Sequence, residues 1–482
     1  MTSTADTTDL ATLDATAQAE LVRSGAVSAL ELVDAAIARI EALNPVLNAV
    51  IYADFERARA AATDVDPSTP FAGVPFLIKD IGATQEGLPY WVGNRLLKEI
   101  DHRSTGDTVL GARFRNAGLV TVGKTNLPEL GSSPTTQPLS CGPTSNPWDA
   151  ERSPAGSSGG SAAAVASGMV PIAHANDGGG STRLPAAWCG LVGLKTTRGR
   201  VANPASVSRL VSELVVSRSV RDTARLLDAV EGATPADLFA YPPPERPYVD
   251  ELGADPGRLR VAVMTAGGQY SVDEECVAGV EATARTLESM GHEIEAVDPD
   301  VLLGEESNVN GRLWMAGLAR RVEALGEMAG RPLTEDEVEP YNWAAAQRGA
   351  DLLATEWTAT EERQHAWSAM VLDWFANFDV LVTPTAGCPP MTTVELTPPE
   401  EKPWRIGRTH GRIGQFTLPF NVTGQPAISL PLHETAAGLP VGVQLVAGMG
   451  REDLLIRLAA RLEEAMPWHD RRPQVFAPGG ER

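Results

Sequence analysis

Metal-ligand patterns are missing from this 482-residue sequence. Its seven histidines form no H-x-x-x-H or H-E-x-x-H arrangement. Its four cysteines, Cys141, Cys189, Cys276 and Cys388, lie far apart and make no C-x-x-C pair. Neither a zinc site nor a dithiol redox motif is expected. Basic charge is also scarce: 40 Lys and Arg stand against 62 Asp and Glu, a net charge of −22. So acidic a surface repels phosphate backbones and anionic lipid, which argues against nucleic-acid and membrane partners. No apolar run approaches the ~20 residues of a membrane span. Met1 to Leu10 is polar and acidic, unlike a secretory signal, so a cytoplasmic location is the expectation. Aromatic residues make up only 5% of the chain, which draws attention to Trp314, Tyr341 and Trp343, each suited to packing or to the mouth of a pocket.

What is present is a large apolar fraction, 43%, enough for an extensive core. Residues 14–43 carry apolar positions at helical spacing, interrupted at Gly25. VPFLIKD (74–80) is a short apolar run ending at a lysine and suits a buried strand. A helical GDTVLGARFRNAG and a strand-like LVTVGK (119–124) follow. Later strands are expected at 171–177, 259–265, 292–298, 380–385, 426–432 and 441–447, with long helical stretches at about 305–329 and 334–376 and a last helix from Arg451. This alternation points to an α/β protein with a mixed, twisted central sheet and helices on both faces, spanning 1–482 as one unit. Residues 126–161 lack periodicity and are rich in Ser, Thr, Gly and Pro; between strands and helices, they are expected to wrap over a site.

Three features carry chemistry. Lys79 ends an apolar strand, GSSGGS (156–161) opens a helix, and DGGGSTR (177–183) follows a strand. Acyl transfer needs a hydroxyl, an acceptor for its proton, and donors aimed at the developing oxyanion. Gly178, Gly179, Gly180 and Ser181 offer backbone N–H groups with little side-chain obstruction, and Ser181 stands at the edge of that nest as a nucleophile. No histidine lies in these motifs. Burial lowers a lysine's proton affinity, so Lys79 is a candidate base, with a serine between it and Ser181 to pass the proton. Each piece alone has a plainer reading: a snorkelling lysine, a flexible Ser/Gly turn, a phosphate-binding or tightly packed glycine turn. Arg183 alone is a structural ion-pair residue, with Asp177 as its local partner.

Taken together, GSSGGSAAAVASGMVPIAHANDGGGSTRLPAAWCGLVGLKTTRGRV resembles the signature of the amidase signature family, with Ser157 standing 24 positions before Ser181 as in that pattern. GVPFLIKD, KTNLPELGSS, GPTSNPWD, NVTGQPAISLPL and GLPVGVQLVAGMGRED extend the likeness over nearly the whole chain. The resemblance implies a single α/β/α catalytic domain with its signature core at about 70–200 and a helical cover at about 305–376. It implies no cofactor and no metal, and a small amide or carbamate as substrate for a monomer or homodimer. It places the base on Lys79, the relay on Ser157 rather than Ser158, with a cis peptide bond at Ser157, and the nucleophile on Ser181. The family commonly has Thr where this chain has Gly178 and Gly where it has Ala155. Among its members the chain looks most like bacterial enzymes that open cyclic nylon oligomers and related urethane-cleaving amidases, and less like the transamidase subunit that acts on charged tRNA. Gly131, Ser132, Ser133 and the turn at Thr385 are expected to line the pocket, with Trp314 closing it. Residues 200–213 lack periodicity and follow the signature directly, which makes them a candidate gate with Arg209 swinging over the mouth.

Rival readings are weaker. GSSGG also fits G-x-S-x-G with Ser158 as nucleophile and His433 or His469 as partner, but the preceding NPWDAERSPA is no core strand. A Cys-Glu-Lys hydrolase would use Cys141 or Cys189, and Cys189 in PAAWCGLVG has the surroundings of a small core residue. A non-enzymatic reading is an amidase fold kept as a binding module.

Overall fold

The computed structural model describes residues 7–204, 208–304, 310–399 and 401–477. Parts of two expected features, 205–207 of the candidate gate and 305–309 of the helical cover, lie outside the described residues. The strands are β1 (Val50–Ala53), β2 (Pro75–Lys79), β3 (Val120–Thr125), β4 (Ile172–Asp177), β5 (Val192–Lys195), β6 (Ser212–Ser217), β7 (Arg260–Val263), β8 (Glu293–Ala296), β9 (Val380–Pro384), β10 (Ala427–Glu434) and β11 (Pro440–Ala447). They form an 11-stranded sheet in the order β1-β3-β2-β4-β6-β5-β10-β11-β9-β7-β8. β2 pairs in parallel with β3 and β4, while β4–β6, β5–β6, β5–β10 and β10–β11 are antiparallel, so the sheet is mixed.

The local reasons are visible in β2. All five residues of PFLIK are buried, as a strand covered on both faces requires. Side chains alternate along a strand. Phe76 and Ile78 join a core with Phe71, Leu110 and Phe114, whereas Leu77 joins a second core with Val33, Ile37 and Val122. The helix Ala29–Leu47 supplies part of that second core and begins with a reciprocal Ser28–Glu31 capping box. Asp14 caps Ala15–Arg23, and Gly25, with φ of 73°, separates the two helices.

Three strands depart from the sequence expectations: β1, β5 and β6, of which β1 is a four-residue strand paired antiparallel with β3. β6 starts at the last two residues of the stretch 200–213 expected to be irregular and runs on to Ser217, and β5 follows the signature helix without a periodic signal. β5 and β6 are short and nearly or wholly buried, so their pairing with each other and with β4 and β10 decides their conformation. The second long helix expected in the cover is two: Pro340–Ala350 and Ala354–Phe375. It also begins later than expected, because Pro340 takes the first helical position after a 3₁₀ turn capped by Thr334. Gly349 lets Pro340–Ala350 sit against Asn310–Ala329, since a Cβ there would fall 2.1 Å from the Met315 carbonyl oxygen.

The Ser/Gly run at 156–161 is packed, not loose. In the helix Gly159–Ala166 every residue is buried, and a Cβ on Gly160 would lie 2.4 Å from the Asn126 amide nitrogen. A similar constraint joins β11 to the helix Arg183–Cys189. A Cβ at Gly442 would fall 2.4 Å from Ala187 Cβ and 2.7 Å from its Cα. Gly442→Ala is therefore expected to lower unfolding free energy by about 1–3 kcal/mol in a urea titration. Gly317→Ala is the control: its Cβ would meet nothing within 4 Å, and no loss is expected there.

Candidate active site

Lys79 ends β2 with its side chain fully buried. Its Nζ lies 2.7 Å from Ser157 Oγ, 2.8 Å from Ser158 Oγ and 2.6 Å from Asn176 Oδ1. Burial drives the amine's proton affinity down, and the Glu213 and Asp177 carboxylates oppose that; the balance leaves the Lys79 pKa lowered to about 7. Ser157 follows a cis Gly156–Ser157 peptide bond. Ser158 leads into the helix Gly159–Ala166, its Oγ 3.4 Å from the Asn176 carbonyl, and its N–H bonds the Ser181 carbonyl at 3.3 Å. That bond lays the GSSGGS motif beside the DGGGSTR turn. Ser181 is half-buried and its Oγ has no hydrogen-bond partner among the described residues.

The turn itself is held from behind. Arg183 is fully buried and donates to both Asp177 oxygens at 2.9 Å, to Gln444 Oε1 at 2.7 Å, to Asn421 Oδ1 at 2.6 Å and to the Thr417 carbonyl at 3.0 Å. Burial by itself would raise the Asp177 carboxyl, but the Arg183 guanidinium holds it well below the usual carboxylate range. Asn421 donates to Asp177 Oδ1 and to its carbonyl, both at 2.9 Å. Thr417 Oγ1 donates to the Gly179 carbonyl at 2.7 Å and so fixes the middle of the glycine run.

One expected donor is corrected. The Gly180 N–H is bound to Asp177 Oδ1 at 2.6 Å, because the carboxylate that anchors Arg183 also reaches back into the turn. Gly178, Gly179 and Ser181 are left as the N–H groups the turn can offer an oxyanion. Gly178 faces Val211 and Gly179 faces Leu418: Cβ atoms there would meet those side chains at 3.4 and 3.6 Å.

The expected pocket residues separate. Gly131, with φ of 63°, lies against the site, since a Cβ on it would be 3.4 Å from Ser157 Oγ. Ser132 is buried and turns its hydroxyl to the Glu129 carbonyl and Asn342 Oδ1, while Ser133 is half-buried and accepts from the Thr135 amide. Trp314 is half-buried, packs in the cluster of Trp91 and Leu130, and is covered by the Arg321 guanidinium at 5.5 Å. Thr385 is corrected: it has no exposed surface and shares a 2.8 Å hydrogen bond with Ser429 Oγ, which leaves it no face to present to a substrate. Arg209 is exposed and pairs with Glu361 at 3.6 Å on the cover helix Ala354–Phe375. Asn176, Glu213, Thr417, Asn421 and Gln444 were missed. Asn176 adjoins the DGGGSTR motif and Asn421 and Gln444 lie in the family-like segments NVTGQPAISLPL and GLPVGVQLVAGMGRED, so their places in the sequence were usable signals; Glu213 and Thr417 lie 30 or more positions from DGGGSTR and outside those segments.

A helix-rich cover over a mixed sheet, with an inward lysine meeting two serines and a glycine turn, defines a serine hydrolase of the amidase type. The amidase family model matches residues 31–456. The 6-aminohexanoate-cyclic-dimer hydrolase of Pseudomonas sp. (strain NK87) is 42% identical, over 96% of this chain and 97% of that protein. The putative amidase AmiB2 of Mycobacterium tuberculosis (strain ATCC 25618 / H37Rv) is 35% identical, over 98% of this chain and all of that one. Among solved structures, a 6-aminohexanoate cyclic dimer hydrolase superposes with a TM-score of 0.92 at 42% identity, covering 96% of this chain and 99% of that chain. A bacterial aryl acylamidase superposes with a TM-score of 0.85 at 27% identity, covering 95% of this chain and 96% of that one. The chain belongs to the amidase signature family and is a hydrolase acting on C–N bonds.

Removing the Arg183 guanidinium strands Asp177 as a buried charge and frees three further acceptors. Arg183→Met is expected to lose about 3–5 kcal/mol of stability in chemical denaturation. The loss should shrink at acid pH. In the native protein the depressed Asp177 pKa gives stability that is present above the unfolded carboxyl range and is lost as pH falls through the folded value. A variant as stable as the parent at neutral pH would show that the cluster contributes little.

Proposed function

We propose that the protein hydrolyses small amides, and carbamates with them, through an acyl intermediate on Ser181, with Ser157 as relay and Lys79 as base. The contact between the fully buried Lys79 amine and Ser157 Oγ carries this reading. A neutral amine has two N–H donors and one lone pair. Asn176 Oδ1 accepts one N–H. Ser158 Oγ, whose own proton is directed to the Asn176 carbonyl, accepts the other. The lone pair is then left for the Ser157 hydroxyl. Ser157 passes its proton to Lys79 as it takes one from Ser181, and Ser181 Oγ attacks the carbonyl carbon. Gly178, Gly179 and Ser181 N–H groups bind the oxyanion. When the tetrahedral species collapses, the C–N bond breaks and Ser157 gives its proton to the leaving nitrogen. Lys79 reprotonates Ser157. Water then attacks the acyl-Ser181 ester by the same relay in reverse and releases the acid.

Two observations bear on substrate class. The relative at 42% identity is named for a cyclic dimer of 6-aminohexanoate, which makes linear and cyclic aliphatic oligoamides one class to test. Carbamates are the second. Gly178 leaves the oxyanion turn without a side chain, and a Cβ there would already be in contact with a Val211 methyl at 3.4 Å. The geometry about C–N is nearly the same in both classes, and an arylamine leaves more readily than an alkylamine.

Ser181→Ala is expected to abolish turnover and labelling by a fluorophosphonate probe. Lys79→Ala should nearly abolish turnover, and Ser157→Ala should leave a damaged but measurable enzyme, with water in place of the relay. In the parent, kcat/KM should rise with pH through about 7, because the base acts only once Lys79 has lost its proton. Near-normal kinetics for Lys79→Ala on the alkaline side of that limb would sink the mechanism.

Substrate class is checked by a panel of activated anilides, linear and cyclic aliphatic amides, and small aryl dicarbamates. Faster cleavage of activated anilides and measurable release of free diamine from a toluene or diphenylmethane dicarbamate are expected, scored chromatographically against Ser181→Ala. Robust anilide cleavage with no diamine above that control would restrict the enzyme to amides.

A further inference from the structure

The carboxylate of Glu213 belongs to none of the steps above, yet it is built into the wall behind Lys79. Glu213 lies on β6 and is 3% exposed. Its Oε2 faces His174 Nε2 at 2.9 Å across the β4–β6 ladder. Its Oε1 accepts from Asn203 Nδ2 at 3.2 Å and from Asn176 Nδ2 at 3.5 Å. Asn176 is the residue whose other amide atom, Oδ1, touches Lys79 Nζ at 2.6 Å. Gly82 makes room for the group: a Cβ there would fall 2.7 and 2.8 Å from the two Glu213 oxygens and 2.9 Å from Asn176 Nδ2.

His174 is fully buried against Phe114, and its Nδ1 has no hydrogen-bond partner among the described residues. Burial lowers its proton affinity, against the pull of Glu213. A neutral ring facing a carboxylate must carry its proton on Nε2. The hydrogen-bond partners of Glu213 among the described residues are then all neutral. Asp177, the other carboxylate acting on Lys79, is spent on Arg183. The neighbouring Lys124 on β3 is paired at 3.5 Å with Asp80.

Resting on the Lys79–Ser157–Ser181 reading, we propose that Glu213 is a positioning residue for the base: through Asn176 it aims a carbonyl oxygen at the Lys79 amine, and its charge tunes the pH at which that amine becomes a base. With glutamine in place of the carboxylate, one acceptor oxygen is left for the His174, Asn203 and Asn176 donors that two oxygens now serve, so the Asn176 NH₂ is held less firmly away from Lys79. The amine also loses a negative neighbour, so its conjugate acid is weakened in its hold on the proton.

The test is the pH profile of kcat/KM on an activated anilide for Glu213→Gln and Glu213→Asp, with Lys79→Ala alongside. Glu213→Gln is expected to move the acid limb to lower pH by ~1 unit and to reduce kcat roughly 10-fold with KM little changed. Glu213→Asp keeps the charge with shortened reach. Its limb should stay at the parental pH while kcat falls. An unmoved limb in Glu213→Gln overturns the proposal whatever happens to kcat. Should Glu213→Gln fail to fold, Glu213→Asp decides: a parental kcat or a displaced limb overturns the proposal. If neither variant folds, Glu213 is a folding residue and the assignment falls. Lys79→Ala separates the two levels. If it retains the parental limb, the catalytic reading itself fails. If it is inactive while Glu213→Gln keeps the parental limb, only the role of Glu213 is lost.

Discussion

An amine shut away from water must find a counter-charge or give up its proton, and the surroundings of Lys79 hold it between these outcomes. Its side chain is fully buried at the end of a strand with no exposed residue. Its immediate contacts are two hydroxyls and a carboxamide oxygen, none of them charged. The negative groups stand one layer back, where Asp177 and Glu213 offset part of the desolvation. A carboxylate in direct contact would hold the proton too firmly for a base, and an apolar shell would leave the free amine's N–H groups unmet. Neutral acceptors in contact with charges behind them avoid both.

The same economy of parts shows in DGGGSTR. Asp177 ends β4, anchors Arg183 and takes the Gly180 N–H. The peptide that presents Ser181 is thereby tied to Gln444 on β11 and to Thr417 and Asn421 from the C-terminal part of the chain. A pair of buried ions is a weak source of net stability, since desolvation cancels much of the attraction. Its value here is geometric: a guanidinium fork accepts few arrangements of its partners, and the glycine turn inherits that rigidity. Ala155, buried with φ of 63°, shows the same over-determination from the other motif.

Much of the fold was legible because its signals are local. The run PFLIK, the alternation of strands and helices, and the caps at Asp14 and Ser28 each depend on residues a few positions apart. β1, β5 and β6 were not legible, since four, four and six residues carry too little periodicity and their conformation comes from neighbours in the sheet. The break between the cover helices at 351–353 escaped notice for a related reason. Gly349 stands two positions before it, but its approach to the Met315 backbone is a contact between helices that the sequence alone does not show.

The sequence by itself determined the chemistry available: an apolar strand that carries a lysine inward, a serine pair on a small-residue helix, and a glycine turn ending in a serine, in a spacing shared with a known family. These are matters of composition and short-range pattern. Tertiary structure alone decided which groups meet. It gave the Gly180 N–H to Asp177, buried Thr385 against Ser429, and set Glu213 behind Lys79 from a position 134 residues further along the chain. Hydrogen bonds and charge–charge terms depend on distances of a few ångströms between side chains, and only the closing of the sheet fixes those distances.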